Sequence, residues 1–395
     1  MKDVKLPSGW REFQLKDIGY FLRGSGISKK DLSDTGVPAV RYGDIYTKYD
    51  FIIKNISSYT NSKGTELKRG DILFAGSGET AEEIGKSAAF LDDYKVLAGG
   101  DIIIFRPNID LNSLFLCYIL NFGRCRKEIS IMGQGHTVVH VYASSLEKLM
   151  VTLPPIDEQK RIADILSLCD DIIENLAKLI EKKELYKKGV MQRVLTGKVR
   201  FNGFTDEWKD IFLYEVLKER KIYQSKDGSL EHVSLTKDGI IPKTERYERD
   251  FLVKDKNKQY KITKINDICY NPANLKFGVI CKNNYGEGIF SPIYVTFEVN
   301  KEFDADFFTY IFKSKSFIHN VRRYEKGTVY ERKSVSPENF LSIKIKVPNL
   351  EEQKRISELI STIDAEIDNL KKQLELRKLQ KKGIMQRLLT GEVRV

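Results

Sequence analysis

The segment LPPIDEQKRIADILSLCDDIIENLAKLIEKKELYKKGVMQRVLTGKVRF, residues 153–201, returns at residues 347–395 as VPNLEEQKRISELISTIDAEIDNLKKQLELRKLQKKGIMQRLLTGEVRV. The match has no gap, the offset is a constant 194, and about half of the positions are identical. An internal repeat of this kind governs any reading of the fold, and this one divides the chain into two similar halves, each a globular segment followed by the repeated one.

The repeat reads as helix. Ile162, Leu166, Cys169, Ile173, Leu176 and Ile180 recur at spacings of 4, 3, 4, 3 and 4, and Ile356, Ile360, Ile363, Ile367, Leu370 and Leu374 occupy the equivalent places. This is a heptad seam, the pattern of helices that pair. Pro154 and Pro348 end what precedes, Asn349 with Glu352 reads as a capping box, and Asp157 and Glu158 bring negative charge to the first turn of the other copy. Gly189 and Gly383 read as breaks, each followed by a short helical piece ending at Thr196-Gly197 and Thr390-Gly391.

Chain direction fixes how two such helices would pair. The end of the first and the start of the second both adjoin the second globular segment, so pairing is antiparallel, with a pseudo-twofold axis between the halves. The expected organisation is α+β: two similar β-rich domains, residues 1–152 and 202–346, separated by helical regions 153–201 and 347–395 that form an antiparallel coiled coil.

A chain of 395 residues with 41% hydrophobic side chains can bury sizeable cores. No apolar run is long enough to span a bilayer, and the opening MKDVKLPSGW is charged where a signal peptide would be apolar. Cys117, Cys125, Cys169, Cys269 and Cys281 show neither CxxC pairing nor metal spacing, which fits a reducing cytoplasm, and the lack of an apolar span fits no membrane partner. The net charge of +11 is spread unevenly, with 20 basic and 18 acidic residues in 1–152 against 26 and 21 in 202–346. That excess permits a polyanionic partner without requiring one.

The first globular segment reads as short strands between Gly, Asp and Asn turns, with one helix over Ser113 to Arg126. The second repeats the plan loosely. Trp208 matches Trp10, NDICYNPAN matches GDILFAGSG, ADFFTYIFKSKSFIHNV matches LNSLFLCYILNFGRCRKEI, and GTVYERKSV matches HTVVHVYAS.

No catalytic motif is complete. Gly85-Lys86-Ser87 ends like a phosphate loop, but the glycine required five residues before Gly85 is Thr80. Asn271-Pro272 opens like an amino-methyltransferase motif, yet Ala273-Asn274 follow and leave no aromatic to stack a target base. Glu158-Gln159-Lys160 and Glu352-Gln353-Lys354 match part of a nuclease signature, but they stand on a first helical turn, where acidic residues are expected anyway. His136 and His140 lie in a strand-like TVVHVY context that denies them helical i, i+4 geometry, so a surface or groove-facing role outweighs metal binding.

A binding architecture remains. The LPPIDEQKRI and VPNLEEQKRI openings, the KKGVMQRVLTG and KKGIMQRLLTG closings and the domain–helix–domain–helix order resemble the specificity subunit of type I restriction-modification enzymes, over the whole chain. That resemblance implies two target recognition domains, each reading one half of a bipartite site in double-stranded DNA. It implies helices that bind two adenine-methylating modification subunits, joined by restriction subunits. It implies no catalysis and no cofactor in this chain, the modification partner bringing S-adenosylmethionine and the restriction partner ATP and magnesium. A methyltransferase or nuclease acting alone would need a complete motif, and a coiled-coil scaffold would show no salt-dependent DNA affinity. A fused restriction-methylase polypeptide would need a catalytic domain upstream, whereas this sequence opens on LPSGWREFQLKDI.

Phosphate contacts from Lys and Arg would position each domain while loop residues read base edges. Basic and polar loop tips supply the candidates: Lys29, Lys30, Arg41, Tyr42, Ser77, Thr80, Gln134 and His136 in the first domain, and Arg246, Asn271, Asn274, Lys276, Lys326, Thr328 and Tyr330 in the second.

Overall fold

The computed structural model describes residues 6–135, 137–225, 229–243, 259–326 and 333–395. Two compact units divide it, Met1–Ala177 with Lys372–Val395, and Lys178–Lys371. Each unit therefore combines a globular segment, the start of the long helix that follows it, and the end of the other long helix.

In the first unit five strands form the central sheet, in the order Gly19–Arg23, Ile102–Pro107, Ile72–Ala75, Ser87–Phe90 and Ile52–Ile53. The runs ILFA, SAAF and IIIF are buried throughout because both faces of the sheet are covered. Strand alternation sorts them. Ile72, Phe74, Ala89, Ile103 and Phe105 enter the larger core with the helices, while Leu73, Ala75, Ala88, Phe90, Ile102 and Ile104 build a second core on the opposite face. A further five-stranded sheet follows the order Leu32–Ser33, Tyr59–Thr60, Val37–Val40, Leu97–Ala98 and Thr65–Glu66.

The second unit reproduces the central order with Leu217–Glu219, Val295–Val299, Ile268–Tyr270 and Ile280–Lys282. It also reproduces the small sheet joining the ends of the globular segment: Arg11–Gln14 pairs with Met150–Leu153, and Lys209–Phe212 with Lys344–Val347. In both units an aspartate that opens a central strand is held by an arginine, Asp71 by Arg106 and Asp267 by Arg220. Arg106 belongs to the strand Ile102–Pro107 whereas Arg220 directly follows Leu217–Glu219, so the buried carboxylate is the common feature.

The helix expected over Ser113 to Arg126 is two, Ser113–Leu120 and Gly123–Ile131, with Gly123 at φ 56° turning the chain between them. Its counterpart is also divided, Ala305–Lys313 and Lys315–Val321, where the Ser314 hydroxyl accepts from the Phe317 amide and starts the second piece.

The long helices differ from expectation at their glycines and at one cap. They run unbroken, Ile156–Val194 and Leu350–Leu389, straight through Gly189 and Gly383. A glycine inside a helix costs only about 1 kcal/mol, which packing on both sides outweighs. The real ends lie where the second glycine of each copy falls. Gly197 and Gly391 adopt φ 69° and 72°, the left-handed conformation that closes a helix, and a Cβ there would lie 3.2 Å from the Trp208 ring and 3.3 Å from the Trp10 ring. At the start of the second helix, Asn349 Oδ1 accepts from the Glu352 amide, as the cap requires, but the Glu352 carboxylate turns to Arg200 instead of completing the box.

Within each unit the helix segments run antiparallel. In the first, Glu158 pairs with Arg394 and, further along, Asp170 with Lys381; in the second, Glu352 pairs with Arg200 and Asp364 with Lys187. Those two sets are equivalent at the offset of 194. Ile162 and Leu166 enter the core of the first unit beside Met385 and Leu388, and Ile356 and Ile360 enter that of the second beside Val194. The early seam positions thus serve both the globular part and the other helix. Ile180, Ile363 and Ile367 are buried, whereas Cys169, Ile173, Leu176, Leu370 and Leu374 are half-buried.

Candidate nucleic-acid interface

The glutamates and glutamines that suggested a nuclease fragment are structural, and the lysines beside them, Lys160 and Lys354, are exposed. Glu158 and Glu352 are buried and each accepts two bonds from an arginine. Gln159 and Gln353 fasten the helix starts to the domains, each donating to the preceding proline carbonyl at 2.9 Å and accepting a backbone amide, that of Asn112 or Asp304, at 3.0 Å. Lys86 is likewise accounted for. Its ammonium donates to the Tyr49 carbonyl at 2.7 Å, pointing inward, and burial pushes its pKa down. Among the described residues, no group of three or more His, Cys, Asp and Glu side chains could hold a metal ion.

In the first domain Lys29 and Lys30 stand exposed on a short 3-10 turn whose cap is local: Asp31 accepts from the Ser28 amide and hydroxyl, and those bonds hold its carboxyl below its ordinary pKa. Arg41 caps the helix Tyr42–Thr47 through its own amide, which donates to Asp44, and its side chain folds back to 3.7 Å from the same carboxylate. Tyr42 is exposed. One turn on, the Tyr46 hydroxyl donates to the Ser77 carbonyl, and burial has pushed its pKa up to about 12.

Ser77 itself is buried, with its hydroxyl 3.0 Å from His140 Nδ1. Gln134 exchanges both backbone hydrogen bonds with His140, at 2.9 and 2.8 Å. The structure therefore gathers Ser77 and Gln134 around a histidine absent from the candidates, and Ser77 and His140 line a cavity of about 370 Å³ with Arg23, Asp101 and Tyr142. Strand alternation held the signal: in VVHVY, Val139 and Val141 are buried and His140 and Tyr142 face the other way. Thr80 is exposed on the neighbouring turn, and its carbonyl accepts from the Ile84 amide. His136 lies outside the described residues.

In the second domain Asn271, Asn274 and Lys276 belong to one tight turn joining Ile268–Tyr270 to Ile280–Lys282. Asn271 Oδ1 accepts from the Ala273 and Asn274 amides, and the Lys276 ammonium lies 4.0 Å from Glu325. Glu325 adjoins Lys326, whose backbone pairs with Ser334. A cavity of about 540 Å³ brings Asn271 and Asn274 together with Thr236, Lys237 and Tyr294, none of which sequence reasoning had singled out. Arg246, Thr328 and Tyr330 lie outside the described residues.

The second unit also holds a larger groove, about 940 Å³, whose lining includes the apolar Met191, Leu195 and Trp208, the lysines Lys198, Lys313 and Lys315, and the acidic Glu184, Asp364 and Asp368. No helix among the described residues is long and apolar enough to cross a membrane.

Two units that share one sheet order, each with polar and basic loop residues gathered at a strand turn and each tied to the same repeated helix, define a recognition protein built on duplication. Comparison with known proteins agrees. The model for the type I restriction modification DNA specificity domain matches residues 7–184 and again 205–378, so the chain belongs to that family. It is a sequence-recognition subunit of type I restriction-modification systems and is not the catalytic one. It is 26% identical over 418 residues to the type I restriction enzyme MjaVIII specificity subunit of Methanocaldococcus jannaschii, covering all of this chain and 95% of that one. It is also 26% identical over 221 residues to the EcoKI specificity subunit of Escherichia coli, covering 53% of this chain and 46% of that one. Among solved structures, the S subunit of a type I restriction-modification system from M. genitalium shares the fold, with a TM-score of 0.59 at 16% identity over 98% of both chains.

Proposed function

We propose that residues 1–152 and 202–346 each read one half of a bipartite site in duplex DNA, and that the antiparallel helices set the number of unread base pairs between the halves. The outer helix faces dock two adenine-methylating modification subunits, which bring S-adenosylmethionine. Restriction subunits, with ATP and magnesium, join that core. The groove of the second unit suits an acidic, amphipathic part of a protein partner, because its apolar lining rewards burial and its lysines, which outnumber its carboxylates, attract acidic side chains.

One observation carries this reading. In the first unit the Tyr118 hydroxyl donates to Asp170 at 2.6 Å and Lys381 pairs with the same carboxylate; in the second, Tyr310 donates to Asp364 at 3.2 Å and Lys187 pairs with it. Tyr118 and Tyr310 lie on matching domain helices, so each reader is fastened to the helices by the same three groups. A chain that builds one attachment twice is suited to presenting two readers of one plan whose loops differ. Those loops would use phosphate contacts for position and base edges for sequence.

Methylation-sensitive sequencing of DNA from a host carrying this chain and its modification subunit tests the reading. We expect a bipartite motif, and replacing residues 202–346 with the matching segment of another specificity subunit should alter one half of it only. A continuous motif, or a change in both halves, would sink the proposal.

A further inference from the structure

The tight turn of the second domain ends on an aromatic side chain that packing does not explain. Phe277 is 61% exposed, although the turn that carries it is fixed by its own backbone bonds. Leu275 anchors the turn in the core, Phe277 N donates to the Asn274 carbonyl, Gly278 N donates to the Leu275 carbonyl, and Gly278 sits at φ 81°. One cation lies beside the ring and a second beside the turn. The Lys276 ammonium lies 5.5 Å from its centroid, and Lys237 reaches Gly278, where a Cβ would come within 3.8 Å of its Cε.

The first domain treats the matching position differently. Gly85, at φ 66°, closes the corresponding turn two residues before the strand Ser87–Phe90, as Gly278 does before Ile280–Lys282. The residue preceding Gly85 is Ile84, fully buried in the main core with Ile129 and Val139. Two domains of one fold thus place an apolar residue before the same glycine, one inward and one outward.

An exposed phenylalanine on a rigid turn that also carries Lys276 and adjoins Lys237 has the features of an apolar wedge. Such lysines suit the neighbouring phosphates, and the ring, already ordered, gains by entering between two bases. We propose that Phe277 inserts into one base step of the half-site read by the second domain, unstacking it, and that this step contributes to sequence preference through its deformability. The inference rests on the DNA-reading role proposed above, and it makes the two half-sites unlike: the first domain has no outward counterpart at Ile84.

The test uses the full chain in complex with its modification subunit and duplexes carrying the mapped site, with 2-aminopurine placed in turn at each position of the second half-site except the methylated adenine. We expect fluorescence to rise at one step with the native complex, to be largely kept by Phe277→Leu, and to be lost in Phe277→Ala. The alanine variant should also bind the site about tenfold more weakly, as loss of one aromatic–base contact predicts. Binding losses caused by first-half-site mismatches should stay as in the native complex. Because the ring is exposed, the melting temperature of both variants should match the native chain. If no position brightens, or if signal and affinity survive Phe277→Ala, the wedge is refuted while DNA reading stands. If the native complex shows no preference for the mapped duplex over a scrambled one, the underlying reading fails as well.

Discussion

Arg200 grips Glu352 through two parallel bonds, Nε to Oε1 at 2.9 Å and Nη2 to Oε2 at 2.7 Å, and thereby ties the end of one repeat to the first turn of the other. Arg394 and Glu158 make the same fork in the other unit. These pairs explain why each repeat opens on Glu-Gln and closes on an arginine beyond the helix end. The planar guanidinium matches both carboxylate oxygens at once, a geometry that an ammonium cannot copy.

Removing the arginine should therefore harm stability more than removing a surface charge does. Arg200→Ala leaves Glu352, buried on the first turn, without its partner, an uncompensated carboxylate. We expect a clearly lowered melting temperature for Arg200→Ala, only partly recovered by Arg200→Lys. Calorimetry of the three chains decides the matter, and equal melting temperatures would show that the fork is ornamental.

Lys86 offers a pH test. Burial lowers its pKa from 10.5, so between the lowered value and 10.5 the folded chain binds fewer protons at this site than the unfolded chain, and stability must rise with pH. The stability of the native chain minus that of Lys86→Met should increase from pH 7 to pH 10 in urea titrations. A flat difference would mean that the ammonium is not held inside, and the discarded phosphate-loop reading would deserve a new look.

Gly189 and Gly383 sit inside unbroken helices where an added Cβ would meet nothing within 4 Å. Gly189→Ala and Gly383→Ala should each stabilise the isolated chain by about 0.5 to 1 kcal/mol. If the gain appears but assembly with the modification subunit weakens, the open space at these positions belongs to that partner's close approach. Paired measurements of unfolding and of complex formation separate the two effects.

Helix length should set the spacer. Four helix-forming residues inserted after Ala177 and another four after Lys371 would lengthen both antiparallel helices by about 6 Å, with a net rotation of roughly 40°. One base pair adds about 3.4 Å and, at about 10.5 per turn, roughly 34°. Mapping the methylated sites of this variant should reveal one or two extra unread base pairs between unchanged half-sites. An unaltered spacer at full activity would separate spacing from helix length.

The repeat by itself determined much of this protein. Its period gave long amphipathic helices, its two-fold occurrence gave equivalent halves, and the order of segments along the chain required antiparallel pairing, all consequences of covalent connectivity and side-chain spacing. Buried strands such as ILFA and IIIF were legible for the same local reason. What folded around the helices was decided by packing. Gly189 could read as a break because propensity is a local quantity, whereas contacts on both flanks carry the helix through it. Nothing in the spacing of Glu158 and Arg394, 236 positions apart, announces their fork, and nothing in Ile84 or Phe277 says which will be buried. Those outcomes depend on which elements come to lie beside each side chain, and only the tertiary structure specifies that.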